Sequence, residues 1–253
     1  SSLGVGTLGG GVSVLRNGKI FRTYGREDGL PGLTVTALAE DDQGRIWASG
    51  HDGLVWWENG RWQPVSGTKN EGRLHLRSLC AGHDDEMWAI FPTSEVKVWK
   101  DGHWSGEPTG GPRHASSLLY DSRGRLWVAG TDRRLWCREN AAWSSLEQPE
   151  HSRGVITAMA EAPDGTLWSI IHRGGFMGLQ KREWIFPEAK GWQTDNSLDA
   201  ATVTPDGKIW LGSTTSGLSM LTKARLKVGL VDATDAKHAA NFIGCVIESQ
   251  AGE

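Results

Sequence analysis

The stretch TVTALAEDDQGRIWASGHDGLVWWENGRWQPV, residues 34–65, reads as four strands joined by three tight turns. TVTALAE is the first strand, A, and its run of Val, Ala and Leu suits a strand covered on both faces. The turn DDQG leads into strand B, RIWAS, and GHDG leads into strand C, LVWWE. Asn59-Gly60 then joins strand C to strand D, RWQPV. Asn-Gly accepts positive φ at both corners of a type I′ hairpin, so this last junction is the firmest of the three.

The same unit recurs along the chain. DDQGRIW ends on Trp47, HDDEMW on Trp88, DSRGRLW on Trp127, PDGTLW on Trp168 and PDGKIW on Trp210, at spacings of 39 to 42 residues. RNGK, ENGR and KDGH place Gly18, Gly60 and Gly102 in the same phase, each followed by an aromatic: Phe21, Trp62 or Trp104. RENAAW and QKREW weaken that turn in later units. A period near 40 with four short strands per unit is the pattern of propeller blades. The strand-B Trp falls at one site per blade, where a large ring fills the widening gap between twisted sheets. Most of the 14 Trp are therefore core residues, with Trp192 in AKGWQTD outside the repeated positions.

The two ends complete each other. NFIGCVIESQAGE aligns with strand A and its turn, while SSLGVGTLGGGVSVLRNGKIF aligns from strand B onward, with Leu3 on Ile46 and Gly4 on Trp47. The expected fold is all-β: one six-bladed β-propeller of four-stranded antiparallel blades. It is closed by C-terminal strand A plus N-terminal strands B, C and D in a shared blade. Blades are expected near 240–253 with 1–33, then 34–73, 74–113, 114–154, 155–195 and 196–239. GVGTLGG matches a GxGxxG pattern, but it lies in the B–C slot with no helix to follow, so no dinucleotide site is expected.

Composition narrows the function. The net charge is −3 with both signs scattered, which argues against nucleic acid as a partner. No apolar run is long enough for a membrane span, and SSLGVGTLGGG lacks the basic and apolar regions of a signal peptide. Cys80, Cys137 and Cys245 are far apart and odd in number, so they read as small buried residues rather than a disulfide frame or zinc site.

GREDGLPGLTVTALAEDDQGRIWASGHDGLVWWE, residues 25–58, resembles the two-component regulator propeller repeat. The matching residues are Asp28-Gly29-Leu30-Pro31, Asp41, Gly44, Ile46, Trp47 and Gly53-Leu54. Parts recur at Asp121, Gly124, Leu126 and Trp127, then at Gly165, Leu167 and Trp168, and at Gly207, Ile209 and Trp210. The resemblance implies an extracytoplasmic (periplasmic or extracellular) ligand-sensing module of a larger signalling protein, often one responding to oligosaccharides. APDGTLW and TPDGKIW are similar to repeats of streptogramin B lyases, also propellers, but their catalytic loops match no positions here.

Strand order places the D–A and B–C loops on one face, around the mouth of the central channel. Those loops hold His51, His75, His114, His151, His172 and His238, together with Arg73, Arg77, Arg113, Arg133, Arg134, Arg153 and Arg173. A guanidinium presents a planar fork of donors, so the face suits an anionic or hydroxyl-rich ligand. At the start of strand A one column reads Thr34, His75, His114, Val155, Ser197 and Phe242, and another reads Thr36, Arg77, Ser116, Thr157, Asp199 and Gly244. The candidate ligand-binding residues are His51, His75, Arg77, Arg113, His114, Arg133, Arg153, His172, Arg173, Trp192 and Asp199.

No catalytic residue, metal or cofactor is expected. His75 and His114 lack a carboxylate or third histidine in their column, and Glu40, Glu161 and Glu248 read as turn-stabilising groups at the far end of strand A. The leading expectation is a non-catalytic sensor that binds a small polar or carbohydrate ligand and belongs to a parent signalling protein. The alternative is a protein-interaction scaffold, with an apolar patch at Trp57, Phe91 or Phe176. A lyase-type enzyme would need a His and a carboxylate around a metal at the channel mouth.

Overall fold

Six sheets of four antiparallel strands surround a central channel in the computed structural model of the chain. It describes residues 2–17, 19–65, 75–106, 110–150, 152, 154–172, 175–186, 198–213, 217–222, 225–227 and 243–249. In blade two, strands A to D are Val35–Glu40, Ile46–Gly50, Gly53–Glu58 and Arg61–Pro64, close to the bounds expected from the sequence. Blade three begins at Ser78–Ala81, blade four at Ala115–Tyr120, blade five at Ile156–Glu161 and blade six at Leu198–Val203. Each of these A strands adjoins the next, and Ile243–Ser249 adjoins both the last and the first, so the ring is closed.

Closure occurs inside blade one. The strand Ile243–Ser249 pairs with Ser2–Thr7, which pairs in turn with Gly11–Arg16, and that strand with Lys19–Tyr24. Gly4 lies opposite Ile247 and Val14, as Trp47 lies opposite Ala39 and Trp56 in blade two. The alignment of Gly4 with Trp47 is therefore the observed register. Leu3, Val5, Leu15, Ile243 and Val246 are buried in one cluster, so residues from both ends of the sequence share a core.

Each strand-B Trp points toward the following blade. Trp47 packs on Leu76, Leu79 and Met87 of blade three, and Trp127 packs on Ile156 and Met159 of blade five. Trp47, Trp88 and Trp127 are nearly fully buried, while Trp168 and Trp210 are partly covered. In blades two and four the ring is also held at its nitrogen. Asp41 Oδ2 accepts from Trp47 Nε1 at 2.8 Å and Arg45 Nε at 2.6 Å, while Oδ1 accepts from the backbone N–H of Gln43 and Arg45. Asp121 repeats these bonds with Trp127, Arg125 and Arg123. Burial alone would raise the Asp121 carboxyl, but the bonds from Arg125 and Trp127 outweigh it and hold the group below the usual range. In blade three the equivalent position is Gly82, and the buried Trp88 Nε1 has no partner among the described residues.

The turns are more uniform than their residues. Gly44, Gly124, Gly165 and Gly207 have φ between 76° and 78°, a region that disfavours any residue with a Cβ. The C–D turns Asn59-Gly60 and Asp101-Gly102 have positive φ at both corners, as expected. Asn140-Ala141 and Lys181-Arg182 adopt the same conformation without glycine, at 50° to 67°. The hairpin register imposed by the blade overrides the local preference, at a cost of roughly 1 kcal/mol per non-glycine corner.

The cysteines are free, as their spacing implied. Burial pushes the thiols up, to about 11 at Cys137 and about 12 at Cys245, with Cys80 higher still, so all three stay protonated at neutral pH.

Replacing Asp41 by Ala strips one acceptor from a buried indole, one from Arg45 and two from backbone N–H groups. Denaturant unfolding of Asp41→Ala should show a loss of about 2–4 kcal/mol. Truncation before Ile243 removes strand A of blade one. Its thermal melt should broaden or fall by about 10 °C or more, and an unchanged midpoint and cooperativity would contradict the closure.

Candidate functional site at the channel mouth

Five of the A strands open with an irregularity. The pairing skips one residue at Thr36, Ser116, Thr157, Asp199 and Gly244, so each is an extra residue on strand A. Blade three has a counterpart just ahead of its strand: Ser78 lies opposite Ile90, and the Arg77 N–H donates to the same Ile90 O at 2.8 Å. A β-bulge re-aims the side chain it carries. Thr36, Arg77, Thr157, Asp199 and Gly244 line the top of the central channel, a cavity of about 390 Å³. This is the polar column singled out in the sequence, and the bulge is the reason it faces the axis.

Two of the bulge hydroxyls clasp neighbouring blades. Thr36 Oγ1 donates to Ser49 O at 3.2 Å and to Leu76 O of blade three at 2.9 Å. Ser116 Oγ donates to Ala129 O and, across the junction, to Ile156 O at 2.8 Å. The Thr157 hydroxyl is buried without a partner among the described residues. Gly244 has no hydroxyl, and a Cβ there would lie 2.8 Å from Val35 O, so blade one cannot make the clasp.

The structure brings together His51, His75 and Arg77. The His51 ring, from the B–C loop of blade two, stacks on His75, which precedes strand A of blade three, with centroids 4.1 Å apart and planes at 29°. This contact joins a B–C loop to a D–A loop on one face. Partial burial, then His51, then Arg77 hold His75 below the ordinary histidine range. Arg77 is exposed, and its guanidinium has no side-chain partner among the described residues. Asp199 lines the same channel from blade six. Arg26 and Asp52, absent from the sequence candidates, form an ion pair of 3.5 Å beside His51. The adjacency of Asp52 to His51 in GHDG was the available signal. On the blade-one side the rim is apolar, with Leu8 half-exposed next to Gly244.

The other candidates are dispersed. Arg113, His114 and His172 are on this face, without side-chain partners among the described residues. Arg133 is committed locally, since its Nη2 donates to Pro149 O and Ser152 O and ties a B–C loop to the following D–A loop. Arg153, Arg173 and Trp192 lie outside the described residues. At the far end of the channel Glu161 accepts from Ser122 N and Oγ at 2.7 and 2.8 Å, a turn-holding bond to the preceding blade. Phe91 and Phe176, expected as parts of an exposed patch, are buried. Phe91 meets Trp104 edge-on, and Phe176 stacks on Trp168 at 4.7 Å. Trp57 is partly covered by Tyr24 and Trp62. Among the described residues no three His, Cys, Asp or Glu are grouped to hold a metal ion.

A six-bladed propeller with a donor-rich channel mouth is the class these features define. Residues 29–52 match the two component regulator propeller family. The fold is similar to the extracellular domain of a protein described as a hybrid two component system from B. thetaiotaomicron, at 19% identity and a TM-score of 0.66. That match covers 90% of this chain and 32% of the other, so the chain spans about a third of that domain. A protein of unknown function from Bacteroides caccae matches over 98% of both chains, at 12% identity and a TM-score of 0.68. Virginiamycin B lyase from Staphylococcus aureus is also similar in fold, at 12% identity and a TM-score of 0.60, covering 81% of this chain and 72% of the other. No curated protein matches the sequence. The chain thus resembles two component regulator propellers, and more weakly the lyase propellers.

His75 offers a direct check on this geometry. In an NMR titration its midpoint should lie below that of an ordinary histidine, and Arg77→Ala or His51→Ala should move it part of the way back. A lowered folded-state value means the unfolded chain binds the proton more readily. The contribution to stability is therefore complete above the ordinary histidine range and is lost as pH falls through the lowered midpoint.

Proposed function

We propose that the chain is a non-catalytic sensor propeller, the input module of an extracytoplasmic signalling protein, and that it binds a small polar or oligosaccharide ligand at the channel mouth. The observation that carries this reading is the exposed Arg77 guanidinium, without a side-chain partner among the described residues, beside the stacked His51 and His75. Arg77 supplies a fork of donors at the start of strand A. The imidazoles add donors and acceptors, and Asp199 can accept from hydroxyl groups. Such a set suits a ligand with both a carboxylate and hydroxyls, as in an acidic sugar. The family match and the similar fold of the extracellular domain of a hybrid two component system support the signalling role and the location.

Differential scanning fluorimetry against a panel of uronate and neutral oligosaccharides tests the proposal. An acidic oligosaccharide should raise the melting midpoint, and Arg77→Ala should weaken its binding about tenfold, a change of ~1.4 kcal/mol, while leaving the free protein's midpoint unchanged. Binding should tighten as pH falls through the His75 midpoint, since a bound anion favours the charged ring. No stabilisation by any acidic sugar or oligosaccharide would overturn the reading.

A further inference from the structure

The junction between blades one and two holds a cleft of about 490 Å³, within the roughly 300–1,000 Å³ typical of small-molecule sites. Its origin lies in the repeat. Where five blades carry a strand-B Trp directed at the next blade, blade one carries Gly4. Gly4, Val12 and Val14 form one wall, and Leu38, Ile46 and Trp57 of blade two form the other. Ile247 takes part of the vacant volume: a Cβ on Gly4 would lie 3.0 Å from its Cγ1. In blades two and five the residue opposite the Trp is Ala39 or Ala160, small enough to leave the indole its room.

The remaining space is lined with aromatic rings. Tyr24 and Trp57 have centroids 4.6 Å apart, Trp57 and Trp62 5.4 Å, and Phe21 is exposed at the opening. Trp62 is almost fully buried, and its indole N–H has no acceptor among the described residues. Arg16 lies over Phe21 at 4.0 Å and Arg22 over Tyr24 at 4.5 Å. No acidic residue is among the described residues that line the cleft.

We infer that this cleft is a second binding site, for a planar aromatic molecule of about indole size that is neutral or bears an anionic substituent. The protein supplies its own template, because an indole occupies the homologous space at the other junctions. Edge-to-face contact with Tyr24, Trp57 and Trp62 favours a flat ring over a branched aliphatic. Arg22 is also paired with Asp28 at 2.8 Å, which moderates its charge, and together the Arg16 and Arg22 guanidinium groups still disfavour an ammonium substituent. Occupancy replaces the packing that Gly4 lacks, so binding stiffens the blade that closes the ring. The cleft shares Leu38 and Ile247 with the wall of the central channel, but none of His51, His75, Arg77 and Asp199 lines the cleft.

Thermal shift and calorimetry with indole, indole-3-acetate and tryptamine test it. Indole and indole-3-acetate should raise the midpoint, by about 5 °C near saturation, and tryptamine should bind at least several-fold more weakly. The double variant Gly4→Trp/Ile247→Ala reinstates the pair found in blades two and five. It should melt higher than the parent and no longer respond to indole. Val14→Trp, which copies Trp56 of blade two and leaves Gly4 and Ile247 in place, should block binding in the same way. Methyl NMR on the unaltered protein gives a readout that needs no variant: indole should shift Val12, Val14 and Ile46, which line the cleft and not the channel. No midpoint change with any aromatic, methyl shifts confined to other residues, or equal binding by tryptamine would overturn the proposal. Arg77→Ala should leave indole binding unchanged, which separates this site from the sensor mouth.

Discussion

Sheets set around an axis diverge as they leave it, and the wedge between neighbours has to be filled or the ring collapses. Twist makes the wedge uneven, so a flexible aliphatic residue fills it poorly and a large rigid ring fills it well. Trp47, Trp88 and Trp127 meet that requirement with almost no exposed surface. The Asp–Trp bond in blades two and four adds direction to the packing, because Asp41 and Asp121 also hold their own turns through backbone N–H groups. One carboxylate thus ties turn geometry to wedge filling. Blade three keeps the ring without the acceptor, which shows that filling is the more general requirement.

The same repeat produces the channel mouth. An A strand of regular pairing would alternate its side chains between its two neighbours and present none of them end-on to the axis. The bulge breaks that alternation at the rim. What each blade then shows is a matter of one residue: a hydroxyl at Thr36 and Ser116 clasps the next blade, while Arg77 and Asp199 place charge on the channel wall. One backbone device therefore serves both roles, and substitution at that position exchanges a clasp for a charged group on the channel wall.

The strands, the closure and the bulge column were legible because each rests on a pattern with a period. Trp at spacings near 40, Gly at left-handed turn corners and complementary end segments each constrain backbone position directly. Side-chain commitments were less legible. Arg133 resembles the other mouth arginines in sequence, yet its guanidinium holds two carbonyl oxygens in the adjoining loop. Phe91 lies in a loop segment, FPTSE, that reads as exposed, but it folds back against Trp104. These depend on distances between blades, and the spacing within one blade does not contain them. The turns at Ala141 and Arg182 show the converse: local residues argued for a degraded hairpin, and the blade register kept the hairpin intact.

Departures from the repeat concentrate in blade one. It lacks the strand-B Trp, it lacks the bulge hydroxyl, and its four strands come from two ends of the chain. A blade kept only for closure would be under pressure to pack as well as the others, and a single Trp–Ala exchange with Gly4–Ile247 would achieve that. Instead the gap is lined by Tyr24, Trp57 and Trp62, three large rings that pack on one another without filling it. Rings arranged around a space, with their edges and faces presented to it, are costly to maintain for stability alone, since Tyr24 and Trp57 keep exposed apolar surface that a larger side chain at Gly4 would cover. The geometry makes better sense if the missing indole is supplied from outside. Ring closure is then the property that a ligand adjusts, and the seam becomes the part of the fold where binding and stability are the same quantity.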